Sequence, residues 1–327
     1  MLIISRGDLA TILTIGDVIE TLEQAFVAHG RGRWVIPSRT QWSLPGGIML
    51  SMPSFLNPGE RGGGILGTKL VSVFPGNPQK GLPLIYGLYL LYDSTTGSPL
   101  ALIDGVYLTG IRTGAASAVA TKYLSRKNAS SLGIIGTGVQ AGFHFVAIAA
   151  VRRIEVCYLF NRTEEKARLF VQEYAAKSGV NLEVLSSADE VVERSDVVVT
   201  STTSPTPVFS SSSLRKGTHL NVIGAFTPDT REVDSETVKK ASLFVDSYQG
   251  ALSEAGDLLI PIREGVVSRE GIRAELSEVV SGTVAGRTSE EEITLFKSVG
   301  FAIEDSAVAR LAYDRALENG VGTRVIM

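Results

Sequence analysis

The first third of the chain mixes two periods. From Ile15 to about His29 apolar residues recur at helical spacing, with Thr14 placed to cap the helix, Asp17 and Glu20 in its first turns and Gly30 as a stop. Short apolar runs follow at Ile48 to Met52, Leu66 to Phe74, Leu84 to Tyr92 and Leu100 to Asp104. They are separated by the turn chemistry of Pro45-Gly46-Gly47, Pro75-Gly76-Asn77-Pro78 and Thr96-Gly97, a pattern that predicts an antiparallel sheet. A helix is expected from Gly110 to Leu124. Beyond it apolar runs alternate with helical ones, as a parallel sheet with crossover helices requires. Strands are predicted at Leu132 to Ile135, Ile154 to Phe160, Leu182 to Leu185, Asp196 to Thr200, His219 to Ile223 and Leu243 to Asp246. Between them lie helices such as Thr163 to Lys177, with Glu164 and Glu165 in its first turn. A last helical stretch, Ser289 to Asn319, is expected to leave this sheet and pack on the first third.

At 327 residues the chain exceeds the size at which single cores stop growing, about 250 to 300 residues, so two domains are expected. The 31 Lys and Arg against 34 Asp and Glu leave a formal charge of only -3, with no run of like charge, which argues against nucleic-acid and polybasic membrane partners. A lone cysteine, Cys157, and the lack of a leader pattern point to a reducing, cytoplasmic compartment. Leu132 to Val151 carries no charged residue, but its glycines suit a strand, tight turn and helix better than a membrane span.

That stretch contains Gly136-Thr137-Gly138-Val139-Gln140-Ala141, directly after a predicted strand and opening a predicted helix. In this context the glycines let backbone approach a pyrophosphate at a helix N-terminus, so Gly136, Gly138, Val139 and Gln140 are candidate dinucleotide contacts. At the end of the next strand, where an acidic residue would hold both hydroxyls of an adenosine ribose, stand Asn161, Arg162 and Thr163. A guanidinium and a hydroxyl suit a 2′-phosphate, so NADP(H) is preferred, with NAD(H) as the alternative. The three histidines, His29, His144 and His219, show no metal-ligand spacing.

Lys69 interrupts an apolar strand, Gly67-Thr68-Lys69-Leu70-Val71-Ser72-Val73-Phe74. Spacing alone favours the ordinary reading, an amine that snorkels to water. Taken with Pro37-Ser38-Arg39-Thr40, Met52-Pro53, the following Gly81-Leu82-Pro83 and Leu108-Thr109-Gly110-Ile111-Arg112-Thr113-Gly114-Ala115-Ala116, however, the chain resembles the ornithine cyclodeaminase and mu-crystallin family. The glycine turn, Glu254-Ala255-Gly256-Asp257-Leu258, Gly286-Arg287-Thr288 and Phe296-Lys297-Ser298-Val299-Gly300 extend the likeness over nearly the whole chain.

The resemblance implies an α/β protein: a Rossmann doubly wound parallel sheet over 118–302, and an α+β substrate-binding and dimerisation domain over 1–117, to which a C-terminal helix, 303–327, returns. It implies a homodimer formed through the substrate domains. It also implies that Arg39 and Arg112 hold a substrate carboxylate, that Lys69 transfers a proton, and that Arg112 and Thr113 touch cofactor phosphate. Thr202 and Val299 match positions near the nicotinamide half, and Gly300 is placed with the substrate. Two nearby guanidiniums would lower the pKa of a desolvated lysine.

The chain departs from the family pattern at Gly224-Ala225-Phe226, where cyclodeaminases and archaeal alanine dehydrogenases carry an Asp as the third residue. Asp229, three residues on, is the candidate replacement. Three readings follow: an NADP(H)-dependent reductase of small cyclic imino acids or ketimines, reversible as an amino acid dehydrogenase; an ornithine cyclodeaminase; and a non-catalytic NADP-dependent binder of small ligands.

Overall fold

The structure, a computed structural model, describes residues 1–57 and 64–326. It divides into two compact units, Met1–Arg112 with Ala302–Met327, and Thr113–Phe301.

The first unit is an α+β assembly. Its sheet runs in the order Thr323–Arg324, Leu2–Ile4, Pro99–Asp104, Ile85–Tyr92, Ile65–Val73, Gly47–Leu56, Trp34–Val35, and Thr40–Leu44 also pairs with Gly47–Leu56. The long central strands are antiparallel as the alternation predicts, but Leu2–Ile4 lies parallel to Pro99–Asp104, so the sheet is mixed. Three residues are too few to display a period, which is why the pattern did not reveal that edge.

Burial alternates cleanly along the central strands. Met52, Ser54, Gly67, Lys69, Tyr89, Leu91, Ala101 and Ile103 face one side and are buried. The helices Ile15–Gly30 and Ala302–Asn319 pack against each other, and Ala302–Asn319 also lies on the three central strands. Thr14 caps the first of these helices by accepting from the Asp17 N–H at 3.2 Å. Position 67 admits only glycine, because a Cβ there would run into the Tyr89 hydroxyl. The helix expected from Gly110 starts earlier, at Gly105, because the Asp104 carboxylate accepts from the Tyr107 N–H at 2.7 Å and so caps it.

The second unit is a Rossmann-type parallel sheet. Its order is Asn181–Val184, Val156–Phe160, Ser131–Ile135, Val197–Thr200, His219–Val222, Thr294–Lys297, Ser242–Val245, Ile272–Glu275, every neighbouring pair parallel. Val197 and Val199 join one core and Val198 the other, so the sheet is buried on both faces and its strands read as continuous apolar runs. The strand order reverses at Ser131–Ile135, the point where ligands bind in doubly wound sheets.

The expected helix over Ser289 to Asn319 is corrected. Thr294–Lys297 is instead a strand inserted between His219–Val222 and Ser242–Val245, and the helix begins only at Ala302. Gly300, at φ +90°, lies in the turn between them. A buried lysine closing a four-residue run made the strand look amphipathic. Ile272–Glu275 is a further strand that the apolar pattern did not mark.

Among the described residues no helix is long and apolar enough to cross a membrane. Leu132 to Val151 is a strand, a glycine turn and the helix Val139–Val151.

Candidate functional site

Strand alternation carries Lys69 inward in the first unit, where it is 2% exposed, and Arg112 of the helix Gly105–Leu124 is 4% exposed. Neither cation is left without an anion. Lys69 Nζ lies 2.7 Å from Asp305 Oδ2, Arg112 Nε donates to Asp305 Oδ1 at 3.0 Å, and Arg112 Nη1 donates to Glu304 Oε2 at 2.6 Å. Glu304 and Asp305 sit in the first turn of the helix Ala302–Asn319, where the helix dipole favours negative charge, and both are buried. The next residue, Ser306, hydrogen-bonds the Tyr89 hydroxyl at 2.6 Å and the Ser54 hydroxyl, which ties this turn to the sheet.

Lys69 pairs across the sheet with Met52 on one side and Tyr89 on the other. Arg39, half-buried, immediately precedes Thr40, whose partner Ser51 is the neighbour of Met52. The first unit therefore joins Lys69 and Arg112 through Asp305 and puts Arg39 just before the strand Thr40–Leu44.

The electrostatics of the cluster differ from those of bare cations. Burial lowers the Lys69 pKa to about 8, and the Arg112 guanidinium acts in the same direction, while Asp305 and Glu304 oppose both. Such an amine exchanges protons near neutral pH, as a group working as acid or base requires. Tyr89 is pushed the other way, well above the ordinary phenol range, chiefly by burial, and stays protonated.

In the second unit the glycine turn fits a dinucleotide. Gly136 adopts φ +94°, and a Cβ there would meet the Ser201 carbonyl and Thr202 Cγ2, whereas the space beside Gly138 is open. Gly138 stands at the N-cap of Val139–Val151 with no side chain to satisfy the first N–H groups. Val139 is exposed beside it. The buried Oγ1 of Thr137 and Oε1 of Gln140 have no hydrogen-bond partner among the described residues. A helix N-terminus without a capping side chain, open backbone and unsatisfied polar atoms together suit a pyrophosphate.

Asn161 braces this turn. Its Oδ1 accepts from the Thr137 N–H at 3.1 Å and its Nδ2 donates to the Thr163 carbonyl at 2.9 Å. Arg162 is exposed and makes no hydrogen bond or ion pair among the described residues; Thr163 is the N-cap of Glu164–Ser178 with its hydroxyl uncommitted to the helix. Thr113 is buried. Val299 and Gly300 each donate a backbone N–H to Asp246 Oδ2 at 2.8 Å, joined by the Ser298 hydroxyl at 2.8 Å. Asp229 is exposed and ion-paired with Arg263 at 3.2 Å.

Sequence reasoning missed the two acids of the first unit, and it also missed a buried ionic group in the second. Lys297 donates to the Ala225 carbonyl at 2.6 Å and lies 2.8 Å from Asp257, which accepts the N–H groups of Glu232 and Val233. Glu232 in turn receives the Thr200 hydroxyl and the N–H groups of Thr202 and Gly224, and burial raises its pKa. Lys297 and Asp257 stood within the recognised motifs, but only the inserted strand reveals that they face one another.

Comparison with known proteins bears on both units. The model of the ornithine cyclodeaminase/mu-crystallin family matches residues 2–320. The chain is 45% identical over 330 residues to Delta(1)-pyrroline-2-carboxylate reductase of Bacillus cereus, covering 99% of each protein. Among solved structures it is similar to the Thermococcus litoralis Delta(1)-pyrroline-2-carboxylate reductase in complex with NADH and L-proline, with 45% identity, a TM-score of 0.95, and 99% and 100% of the two chains covered. It is also similar to an archaeal alanine dehydrogenase dimer with bound NAD, with 36% identity, a TM-score of 0.94, and 100% and 99% covered.

The second unit's ionic group has a measurable consequence. Lys297→Met leaves Asp257 buried without its counter-charge, and the loss of stability should be about 3–5 kcal/mol, read from urea unfolding of the chain. A change below about 1 kcal/mol would show that the pair contributes little.

Proposed function

The chain belongs to the ornithine cyclodeaminase/mu-crystallin family, and from that premise we propose that it is an NAD(P)(H)-dependent oxidoreductase that reduces the C=N bond of small cyclic imino acids. The substrate we infer is 1-pyrroline-2-carboxylate and the product proline. The observation that carries this reading is the buried Lys69, with its pKa lowered to about 8, ion-paired beside Arg112. The similarity to two reductases of that name supports it.

In this reading Arg39 and Arg112 take the substrate carboxylate, for which guanidinium forks are suited. Lys69 in its ammonium form donates a proton to the ring nitrogen as carbon receives hydride. Run backwards, the neutral amine removes that proton from an amino acid. The bound dinucleotide supplies or accepts the hydride. The turn at Gly136 and Gly138, with Val139 and Gln140, would hold its pyrophosphate. Thr113, Thr202, Val299 and Gly300 are assigned to the reacting half on the family resemblance. Asn161 is assigned to the shape of the turn, since both ends of its amide are already engaged. Arg162 and Thr163 would accept a 2′-phosphate, so we infer a preference for NADP(H).

Ring closure of ornithine is the weaker reading. Phe226 presents an aromatic ring where an acid would be needed, and Asp229 is bound to Arg263.

We also infer a homodimer. The sheet face opposite Lys69 leaves Trp42, Leu44, Tyr86 and Leu88 exposed at 41–48%, with Met49, Leu66, Leu70 and Leu90 half-covered between them. Contiguous apolar surface of this kind marks an interface, and an archaeal relative of the same fold forms a dimer.

Four outcomes test these statements. Lys69→Ala should lower kcat for 1-pyrroline-2-carboxylate by roughly 10²–10⁴-fold while NAD(P)H still binds; equal turnover would remove the lysine from the chemistry. In the wild type, reduction needs the ammonium, so its kcat should fall as pH rises through about 8, and oxidation of proline should rise over the same interval. Arg162→Ala should raise the KM for NADPH roughly 10–100-fold and leave that for NADH little changed, and an equal effect on both would refute the phosphate assignment. Leu88→Asp should convert a dimer to monomers in sedimentation velocity, and a monomeric wild type would end the dimer proposal.

A further inference from the structure

Two carboxylates buried beside the proposed acid are hard to explain as packing. A carboxylate removed from water is costly unless it is paired and hydrogen-bonded, and hydrophobic residues of similar volume commonly do as well or better in such places. Glu304, Asp305 and Ser306 are consecutive on the first turn of Ala302–Asn319, and each reaches a different functional or structural group: Arg112, then Lys69 with Arg112, then Tyr89 with Ser54. Asp305 touches both cations. Its two oxygens are divided between them, Oδ1 to Arg112 Nε at 3.0 Å and Oδ2 to Lys69 Nζ at 2.7 Å, and the residue is 1% exposed.

We propose that Asp305 is a positioning residue of the reaction: one carboxylate fixes the Lys69 ammonium and the Arg112 guanidinium at a set separation, so that a substrate whose carboxylate lies on the arginine presents its ring nitrogen to the lysine. The proposal rests on the imino acid reductase reading. An α-imino acid carries its nitrogen one carbon removed from the carboxylate carbon, so carboxylate and nitrogen are rigidly related, and the two cations must be rigidly related to match. Two flexible side chains from a strand and a helix would not keep that spacing alone. A bridging carboxylate on a third element does, through charge-assisted hydrogen bonds whose geometry is narrow.

The same carboxylate acts on the proton. The charged groups around the Lys69 amine are Arg112, which disfavours its ammonium form, and Asp305 and Glu304, which favour it; Tyr89, its cross-strand neighbour, stays a neutral phenol. Removing Asp305 leaves burial and Arg112 opposed only by Glu304, so the ammonium should be lost at lower pH. A residue that served only to hold the helix in place would have no such effect on the amine.

The test compares Asp305→Asn and Asp305→Glu with the wild type. In Asp305→Asn the fall in reductive kcat with rising pH should move down by about one unit or more, and kcat at pH 7.5 should drop roughly 100-fold. NADPH binding, followed by its fluorescence, should be retained. In Asp305→Glu, which keeps the charge but displaces it by a methylene, the pH dependence should stay in place while kcat falls. Wild-type kcat in the Glu variant, or an unmoved pH limb in the Asn variant, overturns the proposal; if the Asn variant does not fold, the Glu variant alone decides.

Carbon-13 NMR of labelled lysine, with the Lys69 signal assigned from Lys69→Ala, reads the amine's titration without any substrate. A midpoint lowered by about one unit or more in Asp305→Asn supports the proposal, and an unchanged midpoint counts against it. Because this measurement needs no turnover, it separates a failure here from a failure of the reductase reading, which would show as a wild type inactive on every imino and amino acid tried.

Discussion

The ion-paired cluster of Lys69, Arg112, Glu304 and Asp305 is the constraint around which the first unit is organised. Four ionic groups out of water are tolerable only if their charges cancel and their hydrogen bonds are made. With the lysine protonated the cluster sums to zero, and three ion pairs lie at 2.6–3.0 Å. Each member comes from a place that secondary structure fixes: a strand position facing inward, a helix that follows the sheet, and the first turn of a C-terminal helix whose dipole favours acids. The neighbouring hydroxyls of Tyr89, Ser54 and Ser306 hold that turn on the sheet, and Gly67 makes room for the tyrosine.

Burial has a second consequence. A lysine in water is a poor proton donor at neutral pH because it gives up its proton too reluctantly. Desolvation and the adjacent guanidinium weaken that hold, and the two acids keep the weakening from going so far that the amine would be neutral at all working pH values. The balance of opposing groups, more than any one of them, places the titration near pH 8. Spacing alone favoured a lysine reaching water, and the picture of cations implied by the family resemblance left out the acids.

What could be read from the chain follows from how local each signal is. The glycine turn was legible because strand, turn and helix N-terminus are contiguous, so Gly136 and Gly138 mark the turn within six residues. The inward face of Ile65–Val73 was legible as a strand, but alternation cannot tell a snorkelling lysine from an enclosed one; only the sheet's covering helix decides. Glu304 and Asp305 were not legible, since two acids at the start of a helix ordinarily face solvent and stabilise its dipole. Their partners are nearly two hundred residues away or more, which no period or spacing encodes. Thr294–Lys297 was hidden for a related reason: its lysine is satisfied by Asp257 and the Ala225 carbonyl, both distant in sequence, so the run imitated a helix face. Asn161 was assigned to the nucleotide from its position at a strand end, yet its amide is used to brace the turn, a role that needed coordinates to see.

The charge balance also bears on how the proposed reaction would complete a cycle. A neutral cluster does not by itself attract an anion, so in the proposed reading Arg39, which precedes the strand Thr40–Leu44, would be the group that draws a carboxylate in from water. Once Lys69 has given its proton to the ring nitrogen, the cluster holds two acids against one guanidinium and carries a net negative charge. That imbalance favours the return of a proton to the amine and disfavours retention of the product carboxylate. In the proposed reaction the arrangement that would make the lysine an acid would thus also favour its recharging and the release of the amino acid. A lysine flanked by cations alone would do neither, because losing its proton would relieve repulsion and leave it with no reason to take another.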